Sequence, residues 1–134
     1  MKQDFDPKNV KRLEIVLCKV NAERIEKTPP EIDLAIKRED NYSILDQKED
    51  SFSLKLNSEI FVEPEALFHI CLEYRINYEL SHKVTKEFIE NNIEIILQPA
   101  GSEISYMIST LTKFFTHNYF VMPPTIFIKR ENSK

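Results

Sequence analysis

The chain has 134 residues and a mass of 15.8 kDa, which suits a single domain over its whole length. Its 42% hydrophobic and 30% charged content argues against disorder, and no apolar stretch approaches the roughly 20 residues that cross a bilayer. A net charge of −4 makes nucleic acid a poor partner, and the single glycine, Gly101, excludes phosphate loops, dinucleotide fingerprints and nucleophile elbows, which need closely spaced glycines.

Residues 1–10 are mostly polar and expected to be loose, as is the polar tail 129–134. Between 13 and 25, apolar residues sit on both parities. Leu13, Ile15 and Leu17 share one side and Val16, Cys18 and Val20 the other, which predicts a strand with both faces partly covered. Thr28-Pro29-Pro30 interrupts the ladder. Ile32, Leu34 and Ile36 alternate as a second strand, and 38–50 reads as charged and turn-like, with Tyr42, Ile44 and Leu45 placed either to extend the hairpin or to pack down locally. Phe52, Leu54, Leu56, Ile60 and Val62 share one parity, a third strand. Phe68, Ile70, Leu72, Tyr74, Ile76, Tyr78 and Leu80 then alternate without exception against polar or small residues. Such a period of two buries one face only as a strand, because a helix would scatter those groups around its axis.

Thr85 is a candidate N-cap for a short helix through Glu90. The run Ile93, Ile95, Ile96, Leu97 is of ambiguous type, and Pro99 and Gly101 are expected to break it. Ser102 then reads as the cap of a second helix, whose Ile104, Met107, Ile108, Leu111, Phe114 and Phe115 recur at three and four. Tyr119 to Met122 is apolar, stopped by Pro123-Pro124. The fold class is therefore α+β: a four-stranded antiparallel meander, a short helix, a longer amphipathic helix packed on the sheet, and an extended Pro-containing C-terminal segment.

In this order, the motifs resemble the SecB family, the export chaperones of the bacterial cytosol. Glu31-Ile32-Asp33-Leu34 followed by Ser53-Leu54-Lys55-Leu56 is similar to that family's first hairpin. Leu72-Glu73-Tyr74-Arg75-Ile76-Asn77-Tyr78-Glu79-Leu80 resembles its third-strand pattern. Ile96-Leu97-Gln98-Pro99, Ile108-Ser109-Thr110-Leu111-Thr112 and Met122-Pro123-Pro124-Thr125-Ile126-Phe127 resemble its helix and the Pro-rich segment behind it. Three departures stand out. Phe115-Thr116-His117-Asn118 replaces the family's Gly-Gly-Phe-Pro loop, the chain ends at Lys134 without a second C-terminal helix, and Lys19 and Cys71 fall where the family carries the acidic pair that docks the translocase ATPase.

The resemblance implies an ATP-independent holding chaperone for unfolded or extended polypeptide clients, linked to protein export. It also implies a homo-dimer or homo-tetramer with helices between dimers. Surplus apolar residues place the client groove at Tyr119, Phe120, Val121, Met122, Ile126 and Phe127, with Met122 as an adaptable contact. The oligomer interface is expected at Ile104, Ile108, Leu111 and Phe115, and a partner-docking face at Glu73 and Glu79. The competing expectation is a SecB-fold adaptor or assembly protein for one folded partner. The start of the chain lacks an apolar signal segment and Cys18 and Cys71 lack CxxC spacing, so a cytoplasmic location is expected. Catalytic residues, cofactors and metal are all expected to be absent: His69 and Cys71 share a strand face, but a zinc site would need Cys18 and His82 to close in.

Overall fold

The structure is a computed structural model that describes residues 4–26, 35–64, 66–116, 121–124, 126 and 128. The strands are β1 (Val10–Ile25), β2 (Ala35–Gln47), β3 (Ser51–Glu63) and β4 (Leu67–Leu80), followed by helices α1 (Lys86–Asn91) and α2 (Ile93–Thr116). The α+β class and the all-antiparallel four-stranded sheet agree with the sequence pattern.

The sheet order is β1-β4-β3-β2. Strands β2, β3 and β4 form the expected meander, whereas β1 lies beside β4 at the far edge instead of pairing with β2. The burial pattern gives the reason. β3 and β4 alternate buried and half-buried residues along nearly their whole length, the signature of central strands, while β1 and β2 stay largely exposed. The nine residues between Ile25 and Ala35 are ample for the crossing, because three strand spacings come to only about 14 Å.

β2 runs through Gln47, so most of the stretch expected to turn is strand. Arg38 and Asp40 account for this. The Asp40 carboxylate, nearly fully buried, accepts hydrogen bonds from Arg38 Nε at 3.1 Å and Ser58 Oγ at 2.7 Å, so a charged run is held in the ladder.

β1 contains a bulge. Leu17 lies opposite Tyr74 and Lys19 opposite Glu73, leaving Cys18 as the extra residue. The insertion reverses parity, so Leu13, Ile15 and Leu17 before it and Val20 and Ala22 after it all share the face of β4's apolar row. The bulge thus brings Val20 onto the face of Leu13, Ile15 and Leu17, whereas Val16, opposite Arg75, points to the other side of the sheet.

Helix α2 lies on that face and runs unbroken through Pro99 and Gly101, contrary to the expected break. Ile96, Leu97, Ala100, Gly101, Ile104 and Ile108 are all buried along it. Burying the four large aliphatics is worth roughly 6–12 kcal/mol, against about 3 for an interior proline and about 1 for a glycine, so packing overrides propensity. Tyr78 Oη donates to the Ile96 carbonyl at 2.7 Å and ties sheet to helix. Asn92 joins the two helices. Its backbone N–H closes α1 on the Phe88 and Ile89 carbonyls, and its own carbonyl accepts from Ile96 N at 3.0 Å.

The N-terminal residues, expected to be loose, dock from Phe5 onward. Phe5 N donates to Asn92 Oδ1 at 3.0 Å, and the Phe5 ring meets Tyr78 edge-on at 5.8 Å. Asp6 then caps a short 3₁₀ turn, Pro7–Asn9. The tail 129–134 lies outside the described residues.

Candidate functional site

Three surfaces bear on function. The first is the Pro-rich segment after α2. Of the expected groove residues, Tyr119, Phe120 and Phe127 lie outside the described residues. The structure separates the other three. Ile126 is buried in the core, Met122 is half-buried against it, and Val121 is exposed. The segment is held by Ser105 Oγ donating to Met122 O at 2.7 Å, Gln98 Nε2 to Ile126 O at 3.2 Å and Arg38 Nη1 to Pro123 O at 3.2 Å. Ile128 forms a parallel bridge with Asp40 at the edge of β2. Gly101 allows this approach. A Cβ there would collide with the Pro124 carbonyl oxygen and come within 2.7 Å of its carbon. The segment therefore roofs the β2 side of the core, and Ile126 serves as core rather than as open groove.

The second surface is the opposite flank. Helix α2 reaches β1 but does not cover it. Leu13, Leu17 and Val20, on the helix-facing side of β1, remain 37–43% exposed. Among the described residues no strand pairs with the outer edge of β1, so its backbone donors and acceptors are open as well. The helix is phased so that Ile104 and Ile108, expected in an oligomer interface, are fully covered by the chain's own sheet. Leu111 and Phe115 are half-buried, and the outward apolar groups are Ile95, Tyr106 and Phe114. Sequence reasoning missed Tyr106; it counted one face of the first strand as surplus apolar surface, but not Leu13, Leu17 and Val20 as a single row. The helical period did carry a signal for Tyr106, which lies off the stripe of Ile104 and Ile108, but the β1 row was hidden by the bulge.

The third surface is the outer sheet face, away from α2. It is polar: Ser53 Oγ bonds Asn77 Oδ1 at 2.7 Å, Arg75 Nε donates to the same oxygen at 3.2 Å, and Asn77 Nδ2 donates to Glu14 at 2.9 Å. Glu73 and Glu79 lie here, half-buried, with Lys19 and Arg12 opposite them on β1, so the face expected to dock a partner is partly charge-balanced within the chain. A cavity of about 300 Å³ opens on the same face, lined by Lys19, Glu39, Glu59, Cys71 and Glu73 among others. Beside it, Glu59 Oε2 lies 2.6 Å from His69 Nε2, and Cys71 Sγ lies 3.9 Å from the same nitrogen. Burial pushes the Cys71 thiol pKa up, the Glu59 charge adds to this, and Lys19 opposes it. Cys18 and His82, the other ligands considered from sequence, lie elsewhere. Cys18 sits at the bulge, and His82 packs edge-on against Phe88.

Among solved structures, the SecB-like chaperone Rv1957 of Mycobacterium tuberculosis, in complex with a ChAD peptide from the Rv1956 HigA1 antitoxin, superposes with a TM-score of 0.67. It covers 91% of this chain and 92% of its own, at 13% identity. The fold is SecB-like. A protein of unknown function from Streptococcus agalactiae shares this SecB-like architecture with a TM-score of 0.54 and 9% identity, over 83% of this chain and 96% of that one. No family model matches the sequence, and no curated protein matches it. No helix among the described residues is long and apolar enough to cross a membrane.

Proposed function

We propose that the protein is a non-enzymatic, ATP-independent holding chaperone of the cytoplasm that binds extended segments of unfolded polypeptides. The observation that carries this reading is the flank of β1. Among the described residues its apolar row stays open beside α2, and its backbone edge is unpaired and able to accept another strand. A sheet edge binds extended chain through main-chain hydrogen bonds, and a neighbouring apolar face takes alternate side chains. Exposed Val121 and half-buried Met122 offer a second apolar contact at the other side of the helix. The complex of the Mycobacterium tuberculosis neighbour with an antitoxin peptide supports polypeptide as the ligand class. A homo-dimer or homo-tetramer belongs to the same reading, meeting through Tyr106 and Phe114 rather than Ile104 and Ile108. An export link through the translocase ATPase is its finest part, with Glu73 the acidic residue two positions from Cys71.

Calorimetry against an unfolded, non-aggregating client tests the proposal. Micromolar binding that Leu17→Lys and Val20→Lys each weaken supports it, whereas no heat together with no protection of a refolding client from aggregation rejects it. The alternative is an adaptor for one dedicated partner, a reading favoured by the neighbour's pairing with a peptide from a single antitoxin. A pull-down that returns one stoichiometric protein instead of a client mixture selects the adaptor.

A further inference from the structure

The outer sheet face holds a constellation that the chaperone reading does not use. Glu59, His69 and Cys71 each bring one ligand atom to a common point, all within 4.8 Å of one another. They come from the two central strands. Glu59 and Cys71 are direct cross-strand partners, and His69 lies two residues along β4 on the same face. Central strands paired on both sides are the most rigid support this sheet offers. The ring of Phe61, the cross-strand partner of His69, meets the imidazole edge-on at 6.3 Å and restricts its rotation.

We propose that Glu59, His69 and Cys71 form a binding site for a zinc-class divalent ion, with a fourth coordination position open to solvent or to a partner. The donor set is chemically selective. Thiolate and imidazole together favour zinc, copper or nickel over magnesium and calcium, and one carboxylate suits a borderline ion. The distances are close to those required. Bonds of about 2.0–2.1 Å to nitrogen or oxygen and 2.3 Å to sulfur imply tetrahedral edges of roughly 3.3 Å for N···O and 3.6 Å for N···S. The observed 2.6 and 3.9 Å call for a small retreat of the Glu59 side chain and a smaller approach of Cys71, and the Glu59–Cys71 edge, within 4.8 Å, has to settle near roughly 3.6 Å as well. The surroundings favour a cation. The strand register sets Glu39 beside Glu59, Glu23 beside His69 and Glu73 two residues from Cys71, against Lys19 and Lys37. Binding displaces the thiol proton and the proton that Nε2 of His69 shares with Glu59 in the metal-free chain, and the imidazole keeps a single proton, on Nδ1.

The ion would tie β3 to β4 on the face opposite the apolar flank, so the test is independent of client binding. Full-length protein is dialysed against chelator and titrated with zinc by calorimetry, with cobalt as the spectroscopic probe. One ion per chain at micromolar affinity or tighter is expected, with a thiolate-to-cobalt charge-transfer absorption. Cys71→Ser, His69→Ala and Glu59→Gln each lower affinity by more than about 100-fold, since even outer partners of metal ligands cost about 10–100-fold. Cys18→Ser leaves binding unchanged. All four positions are at least partly exposed, and circular dichroism confirms folding before titration. A cobalt spectrum without thiolate charge transfer in the unmodified chain overturns the site whatever the variants do. So does binding that survives Cys71→Ser.

Discussion

Gly101→Ala gives a prediction whose sign is diagnostic. In an isolated helix this substitution stabilises by about 0.5–1 kcal/mol, because glycine loses more backbone entropy and alanine is the best helix former. In this chain the added methyl points into the Pro124 carbonyl, a backbone group that no side-chain rotation can move aside. Either the helix and segment separate locally, an overpacking cost of about 1–3 kcal/mol, or the segment lifts off. Lifting off exposes Ile126, worth about 2 kcal/mol. It also breaks the bonds from Ser105, Gln98 and Arg38, at about 1 kcal/mol each or less. Entropy regained by the freed segment offsets most of that loss. Both routes lead to a net destabilisation of about 1–3 kcal/mol. Urea denaturation should show a midpoint lowered by about 1 M with an unchanged slope, and limited proteolysis should open a site near Met122. If Gly101→Ala instead stabilises the full chain as it would a free helix, the segment does not lie against α2 and the account of this glycine is wrong.

Pro99→Ala should do the opposite. Pro99 is exposed, so its loss costs little packing, while the new N–H can donate within the helix. A gain of about 1–2 kcal/mol in chemical denaturation is expected after allowing for the looser unfolded chain. Asp40→Ala leaves the Arg38 guanidinium, only 12% exposed, without its carboxylate, and should cost about 3 kcal/mol by the same assay. Burial, with a further contribution from the Glu103 charge, raises the Tyr74 pKa to about 12 from 10.0. The folded state thus holds its phenol proton where the unfolded state has released it, so stability falls as pH rises from 10 towards 12. Tyr74→Phe should lessen that alkaline slope without abolishing it, because burial raises the Tyr78 pKa too. At neutral pH the substitution should match or exceed the parent by up to about 1 kcal/mol, since it removes a buried hydroxyl that has no hydrogen-bond partner among the described residues.

Local periodicity determined much of this protein in advance. The uninterrupted alternation from Phe68 to Leu80 could bury one face only as a strand, and β4 spans Leu67–Leu80. Thr85 was recognisable as a cap from its position ahead of Phe88 and Ile89, and its Oγ1 accepts from Phe88 N at 3.0 Å. The phase of Ile104 and Ile108 marked the apolar side of the long helix, though not that this chain's own sheet, rather than a second copy, covers it. What the sequence left open depended on contacts between residues far apart in the chain. Whether Pro99 ends a helix was decided by the sheet beneath it. Whether Gly101 marks a break or a close approach was decided by Pro124. The bulge at Cys18 split one apolar face into two parities, which hid the open flank of β1 until its pairing with β4 was known. The pairing of β3 with β4 carried Glu59 to His69 and Cys71, a meeting that no spacing along the chain encodes, because strand register is set by the packing of the whole sheet.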